Sequence, residues 1–207
     1  MIVKNLNFGE NAKNKVFKGI EKLTNAVSST LGASGKCVIL EDKQGNPIIT
    51  KDGVTVADSI VLLDPVENIG ATLIKEAARK TVKEAGDGTT TATVLAHAIL
   101  KEAYKELNNT NTREIKEGIL NGVEKIIKHI TDKSVPVDNR IEQIATISTN
   151  NDTELGNLIA TAFNSVGKTG VVVMEPSSAG ETKVDIVEGV EYDKGLLNNN
   201  FITNKEK

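Results

Sequence analysis

Four stretches before residue 133 place aliphatic side chains at three- and four-residue intervals, and a chain with that pattern is constrained to fold as packed helices. In residues 10–31 the stripe is Val16, Ile20, Leu23, Val27 and Leu31, and Gly32 supplies the stop. In residues 65–85 it is Val66, Ile69, Leu73 and Ala77, entered through Pro65, whose fixed φ suits a first-turn position, and closed by Gly86. A third stripe runs from about Gly88 to Leu107 on Ala92, Leu95, Ala96, Ile99, Ala103 and Leu107. The fourth, on Ile115, Ile119, Val123, Ile126 and Ile130, follows a polar break in which Asn111 and Glu114 resemble a capping pair. Aromatic residues are 3% of the chain and Trp is absent, so the core has to be built from Val, Ile, Leu and Ala. Such side chains suit helix packing.

Between the first two stripes, residues 36–40 form a β-branched run, 42–47 are dense in turn formers, and Ile48 and Ile49 belong to a second run, which reads as strand, turn and strand. Lys51-Asp52-Gly53 makes a tight corner, and residues 54–62 have the pattern of a short helix ending before Asp64-Pro65. Ser134-Val135-Pro136 then changes the texture. A short helix is expected at 141–145 and a longer one on Leu155, Leu158, Ile159, Ala162 and Val166. A buried strand at 171–174 and an alternating one at 183–187, ended by Gly189, should follow. The chain therefore reads as mainly α with small β parts, an α+β class in which a helical first part is joined to a small mixed second part.

Net charge is −3, and the lysines and arginines are spread along the chain, so nucleic acid is not an expected partner. The longest aliphatic run, Ile60–Leu63, is far shorter than the ~20 residues of a membrane span, so no membrane partner is expected either. The first nine residues lack the regions of a secretory signal. Cys37 is the only cysteine, which rules out an intrachain disulfide and fits a reducing compartment. A cytoplasmic location is expected, with an organelle matrix as the alternative.

Residues 85–93, Ala-Gly-Asp-Gly-Thr-Thr-Thr-Ala-Thr, join the second and third helices. Gly86 and Gly88 admit backbone conformations closed to other residues and let another molecule come near. Thr89, Thr90 and Thr91 fall in a first helical turn, where unpaired N–H groups and the positive end of the dipole favour an anion. Asp87 adds a hard oxygen ligand, and a carboxylate beside phosphate oxygens is how proteins usually hold Mg²⁺. One reading is a magnesium-nucleotide phosphate site; the other is an ordinary helix start with a glycine turn and hydroxyl caps. Three threonines in a first turn are poor helix formers that capping alone does not require.

Other constellations are weaker. Gly32 to Cys37 invites a P-loop reading, but two residues rather than four separate its glycines, which rejects it. Thr30-Leu31-Gly32 is by itself a helix C-terminus whose backbone a ligand could approach. Asp52 either orients a water near a phosphate or fills a turn, and taken alone the turn is favoured. His97 and His129 have no second Cys or His at ligand spacing and read as structural. Cys37, in a β-run, reads as a buried thiol.

Taken together, Thr30-Leu31-Gly32, Ile49-Thr50-Lys51-Asp52-Gly53-Val54 and the run Ala85 to Ala96 resemble the group I chaperonins, the GroEL or Hsp60 family. The likeness runs from Phe8-Gly9 to about Phe201 and includes Ser134-Val135-Pro136, Thr146-Ile147-Ser148 and Val187-Glu188-Gly189. The resemblance implies ATP-driven folding and refolding of unfolded polypeptides by subunits stacked in homo-oligomeric rings that work with a co-chaperonin. It implies that residues 1–133 are the first part of an equatorial ATP-binding domain, 134–188 the first part of an intermediate hinge domain, and 189–207 the beginning of an apical domain. Thr30, Leu31 and Gly32 would border the nucleotide. Asp87 would hold Mg²⁺, while Gly86, Gly88, Thr89, Thr90 and Thr91 would line the phosphates; K⁺ is a further implied cation. Lys51 and Asp52 would lie by the γ-phosphate, with Asp52 in the catalytic role of positioning water. Pro136 and Gly189 match two hinge positions, and Phe201 matches a polypeptide-binding position.

Three departures qualify that likeness. The family's Thr-Leu-Gly-Pro-Lys-Gly is Thr30-Leu31-Gly32-Ala33-Ser34-Gly35 here, without the proline that fixes the loop or the nearby positive charge, so weaker nucleotide affinity is expected. Its Gly-Tyr-Leu-Ser-Pro-Tyr-Phe is Gly195-Leu196-Leu197-Asn198-Asn199-Asn200-Phe201, in which only the phenylalanine keeps an aromatic contact. A family chain is also more than twice as long, and its second half carries the aspartate that acts with water in hydrolysis. The expectation is the N-terminal portion of a chaperonin subunit that binds ATP without completing hydrolysis and leaves apolar helix faces uncovered. The alternatives are a shortened modulator that enters rings of a full-length chaperonin partner, and a stand-alone ATP-binding module or phosphotransferase.

Overall fold

The computed structural model describes residues 6–189, apart from 33, 43, 168, 178 and 179, together with Asn198. The chain divides into two compact units, Met1–His129 and Ile130–Lys207. The elements are α1 (Gly9–Ser28), β1 (Val38–Glu41), β2 (Pro47–Thr50), α2 (Gly53–Ser59), α3 (Pro65–Ala85), α4 (Thr89–Glu106), α5 (Thr112–Lys133), α6 (Ile141–Ser148) and α7 (Thr153–Val166). This is the mainly helical α+β class expected.

Local chemistry sets the helix ends. Asp64 caps α3, its Oδ1 accepting the N–H groups of Val66 at 2.8 Å and Glu67 at 3.3 Å, and Pro65 takes the first helical position. At the far end Gly86 is left-handed, with φ 76°, and donates its N–H to Val82 O at 2.8 Å. Asn111 and Glu114 form the expected pair at the start of α5, with Asn111 Oδ1 accepting the Glu114 N–H at 3.0 Å and Asn111 Nδ2 donating to Glu114 Oε1 at 2.7 Å. α1 stops at Ser28 rather than near 31, because the Thr30 N–H and Oγ1 both turn back onto Val27 O, at 3.1 and 2.8 Å, leaving Leu31 exposed.

The core of the first unit is Ile20, Leu23 and Val27 from α1, Val56 and Ala57 from α2, and Ala71 and Ile74 from α3, with Val38 and Leu40 of β1 and Ala96 of α4 packed against it. α1 crosses α3 at very short range. A Cβ added to Gly19 would lie 1.8 Å from Glu67 O, and one added to Gly70 would lie 2.0 Å from Val16 O. This crossing decides which face of α3 is buried. Glu67, Gly70, Ala71, Ile74, Lys75 and Ala78 turn inward, so the expected stripe is displaced by one residue and its Ile69 and Leu73 are exposed. His97 of α4 packs on Phe17 with ring centroids 5.8 Å apart, and Tyr104 packs on Phe17 at 5.4 Å.

β1 and β2 form an antiparallel hairpin with Ile39 opposite Ile49 and Leu40 opposite Ile48. Its turn is closed by Asp42, whose Oδ1 accepts the N–H groups of Gln44 and Asn46, each at 2.8 Å. Alternation along β1 sends Val38 and Leu40 to the core and Ile39 outward. Cys37 is in phase with Ile39 and is exposed, which corrects the expectation of a buried thiol. α5 buries none of its residues, and Val123, Ile126 and Ile130 of its stripe are exposed.

Three ion pairs bind α1 to the start of α3. Lys15 Nζ lies 2.6 Å from Asp64 Oδ2, Lys22 Nζ 2.5 Å from Glu67 Oε2 and Lys18 Nζ 3.5 Å from Glu67 Oε1. Lys15, helped by the Val66 N–H, holds the Asp64 carboxyl below its ordinary value, and Lys22 does the same for Glu67 against the opposing effect of desolvation. A carboxylate favoured by the fold stays ionised to lower pH than in the unfolded chain. Its contribution is therefore complete above the unfolded value, about 4 for these groups, and is lost as pH falls through the folded value. Urea denaturation at a series of pH values should show stability declining on the acid side, and Glu67→Gln should flatten that decline while lowering stability at pH 7.

In the second unit α6 and α7 pack closely, since a Cβ on Gly156 would lie 2.3 Å from Thr146 Oγ1 and 2.7 Å from its Cα. Asp152 caps α7, accepting the Leu155 N–H at 3.0 Å. The strands expected at 171–174 and 183–187 are not formed; no ladder joins these segments among the described residues. They flank a 250 Å³ cavity beside α7, and Val171, Val173 and Met174 remain exposed. A buried strand needs cover on both faces, and the described residues do not supply it.

Candidate functional site

The glycines at 86 and 88 make the turn between α3 and α4. Gly86 ends α3, and Gly88, with φ 88°, is the N-cap residue of α4; both conformations are costly for residues with a side chain. Asp87 stands between them, exposed, with its Oδ1 accepting the Gly88 N–H at 2.6 Å. Helical bonding in α4 begins with the Ala92 N–H to Gly88 O at 2.9 Å. The N–H groups of Thr89, Thr90 and Thr91 thus lie outside the ladder, and no side chain among the described residues caps them. α2, α3 and α7 differ in this respect, because Asp52, Asp64 and Asp152 fill the same role at their starts.

Three separate stretches meet at Thr90. Its Oγ1 is 3.5 Å from Thr30 Oγ1 in the turn after α1. The Thr30 hydroxyl proton is committed to Val27 O, so Thr90 is the donor in this pair. On its other side Thr90 lies against Gly53, where an added Cβ would sit 2.2 Å from Thr90 Oγ1. Gly53 is the first residue of α2 and follows Asp52, so the corner 51–53 is pressed against the threonine turn. Thr89 is buried, and its carbonyl accepts the hydroxyl of the buried Thr93 at 2.8 Å.

Asp52 does fill a turn, as the residues alone suggest. Its Oδ2 accepts the Thr55 N–H at 2.8 Å and the Thr55 hydroxyl at 2.6 Å, and its Oδ1 accepts the Val54 N–H at 3.3 Å. Partial burial works to raise this carboxyl, and the hydrogen bonds from Thr55 and Val54 outweigh it, so Asp52 sits below its ordinary value and carries its charge at neutral pH.

Of the residues singled out from sequence, Thr30, Asp52, Thr89 and Thr90 are therefore drawn to one place, with Asp87 at the head of the same helix. Leu31 and Gly32 lie beside them on the exposed loop after α1, where Gly32 has φ 73°. Lys51, Gly86 and Thr91 are also exposed. Pro136 lies in the segment between α5 and α6, and Gly189, with φ 111°, is at the end of the continuous described stretch. Phe201 lies outside the described residues, as does Ala33. Gly53, the residue on which Thr90 rests, is the one that sequence reasoning passed over as a site residue. Its only signal was a glycine directly after a capping aspartate.

Among the described residues no group of three or more His, Cys, Asp or Glu side chains could hold a metal. One exposed carboxylate at an uncapped helix start instead suits a cation that brings its own oxygen ligands, as Mg²⁺ on phosphates does. No described helix is long and apolar enough to cross a membrane.

The sequence model of the TCP-1/cpn60 chaperonin family matches residues 23–207. The chain belongs to that family. Solved chaperonins have the same fold over most of it. The chaperonin gp146 from the bacteriophage EL 2 (Pseudomonas aeruginosa), crystallised in the presence of ATP-BeFx, superposes with a TM-score of 0.66 and 32% identity in one crystal form and with 0.66 and 31% in the other. A group III chaperonin in the open state gives a TM-score of 0.61 and 25% identity. The alignments cover 76% of this chaperonin chain and 28% of gp146, and 74% of it and 31% of the group III protein. The chain thus spans less than a third of the length of either relative.

Proposed function

We propose that this chain is the ATP-binding portion of a chaperonin subunit of the group I kind, serving ATP-dependent folding of unfolded polypeptides. The observation that carries this reading is the uncapped start of α4, where the N–H groups of Thr89, Thr90 and Thr91 are left for a ligand beside Asp87. The crystallisation of gp146 with ATP-BeFx supports it. In this reading those N–H groups hold phosphate oxygens, and Asp87 takes the metal. Bound Mg²⁺ supplies charge neutralisation on the phosphates. Asp52, ionised and fixed by Thr55, orients a water at the edge of the site; Lys51 adds positive charge there, and Thr30, Leu31 and Gly32 border the nucleotide. K⁺ is proposed as a second cation.

Nucleotide binding is the activity assigned to this stretch. Ring assembly, the co-chaperonin, polypeptide contact through Phe201, hinge motion at Pro136 and Gly189, and a cytoplasmic location are parts of the same proposal. Titration of the chain with ATP tests it. Binding should require Mg²⁺ and disappear on chelation, whereas equal affinity with and without the metal would sink the reading. A second role, as a modulator entering rings of a full-length chaperonin, is favoured by the exposed isoleucines of α5 and is checked by co-purification with such a partner.

A further inference from the structure

Lys75 is a buried charge that neither the core nor the phosphate contacts use. It lies in the middle of α3 with 8% of its surface exposed, and its Nζ donates to the backbone carbonyls of Ile60, at 2.5 Å, and Asp58, at 3.3 Å. Burial pushes its pKa down, against the opposing pull of Asp58. The two carbonyls belong to the C-terminal end of α2, and their capture explains why this helix stops at Ser59 and continues in extended backbone at Ile60 rather than running to 62.

α2 has seven residues and a length of about 10 Å. Fixing one end at that length fixes the other. The other end is Asp52 and Gly53, and Gly53 has no room to move towards Thr90. α3 also runs directly into Gly86 and Asp87, so Lys75 joins the two walls of the site through one side chain. A methionine would fill the same space without the cost of burying an ammonium group. A lysine here therefore gains geometry rather than stability.

We infer that Lys75 is a positioning residue for the phosphate site: by holding the carbonyls of Asp58 and Ile60 it sets α2 on α3 and keeps Asp52 and Gly53 against the threonine turn of α4. The inference rests on the nucleotide reading above for its function, and on the hydrogen bonds alone for its geometry. The test applies amide hydrogen exchange and Mg-ATP titration to the whole chain carrying Lys75→Met, with Arg79→Ala as a control that removes the exposed pairs with Asp58, 2.8 Å long, and Glu76, 3.0 Å long. Lys75→Met is expected to speed exchange in residues 53–59 at least tenfold while α1 keeps its protection, and to weaken Mg-ATP binding by about tenfold. Lys75→Arg, which retains donors, should recover part of both, and Arg79→Ala should change neither by more than about twofold. Wild-type exchange at 53–59 in Lys75→Met overturns the inference. If that variant loses its cooperative unfolding transition, Lys75→Gln is measured instead, and wild-type exchange there overturns it equally. A wild-type chain that binds no Mg-ATP overturns the nucleotide reading, while the exchange result still decides whether Lys75 holds α2.

Discussion

Gly19→Ala should destabilise the first unit by about 3 kcal/mol or more, at the upper end of what overpacking costs, and Gly70→Ala should do the same. The added methyl groups would stand 1.8 Å from Glu67 O and 2.0 Å from Val16 O. These neighbours are backbone atoms of the facing helix, so no rotamer change relieves the overlap. The helices have to part, and parting uncovers Ile20, Leu23, Ala71 and Ile74 together. Helix propensity alone predicts the opposite sign, because alanine is better than glycine inside a helix by about 1 kcal/mol. Gly118 of α5 provides the contrast. Nothing lies within 4 Å of a Cβ built there, so Gly118→Ala is expected to stabilise or do nothing. Urea midpoints followed by circular dichroism decide the matter: a rise in midpoint for Gly19→Ala would show that the crossing is looser than described.

Asp87→Ala is expected to weaken Mg-ATP binding by about one to two orders of magnitude, the range for losing a charged ligand of ~1.5–3 kcal/mol. The same carboxylate also accepts the Gly88 N–H, so a loss with alanine could arise from a disturbed turn. Asp87→Asn separates the two effects, since the amide oxygen still accepts that N–H while the negative charge is gone. Calorimetric titration with ATP, with and without Mg²⁺, should find asparagine nearly as poor as alanine in the presence of the metal and close to wild type in its absence. Full metal-dependent binding by the asparagine variant would reduce Asp87 to a turn residue.

Much of this molecule could be read from the residues because its signals are local. Pro65 and Gly86 bracket α3, Asn111 and Glu114 open α5, and two β-branched runs about the turn formers at 42–47 give the hairpin; each depends on neighbours within a few positions. The buried face of α3 was not legible in that way. Ile69 and Leu73 are the larger apolar side chains, yet Gly70 admits the α1 backbone and so turns the helix to bury Glu67, Ala71 and Ile74 instead. Burial of a glutamate is acceptable there because Lys22 and Lys18 meet it from α1, a pairing between residues about fifty positions apart in the chain. The phosphate turn had the same limit. Asp87 and its threonines announce themselves, but the meeting of Thr30, Gly53 and Thr90 is a contact between three distant stretches, made possible by the absence of one side chain. Residues 171–174 and 183–187 have strand composition, and composition does not form a ladder when no edge among the described residues pairs with it.

The crossing of α1 on α3 also sets a schedule for the growing polypeptide. Gly19 leaves the ribosome about fifty residues before Gly70, an interval of roughly 3–10 s at usual rates of synthesis. For that time α1 has an apolar face and no partner, and closing the intervening loop costs entropy before any contact repays it. Its lysines at 15, 18 and 22 have work in both periods. They keep the solitary helix hydrated while it waits, and once α3 arrives they close on Asp64 and Glu67.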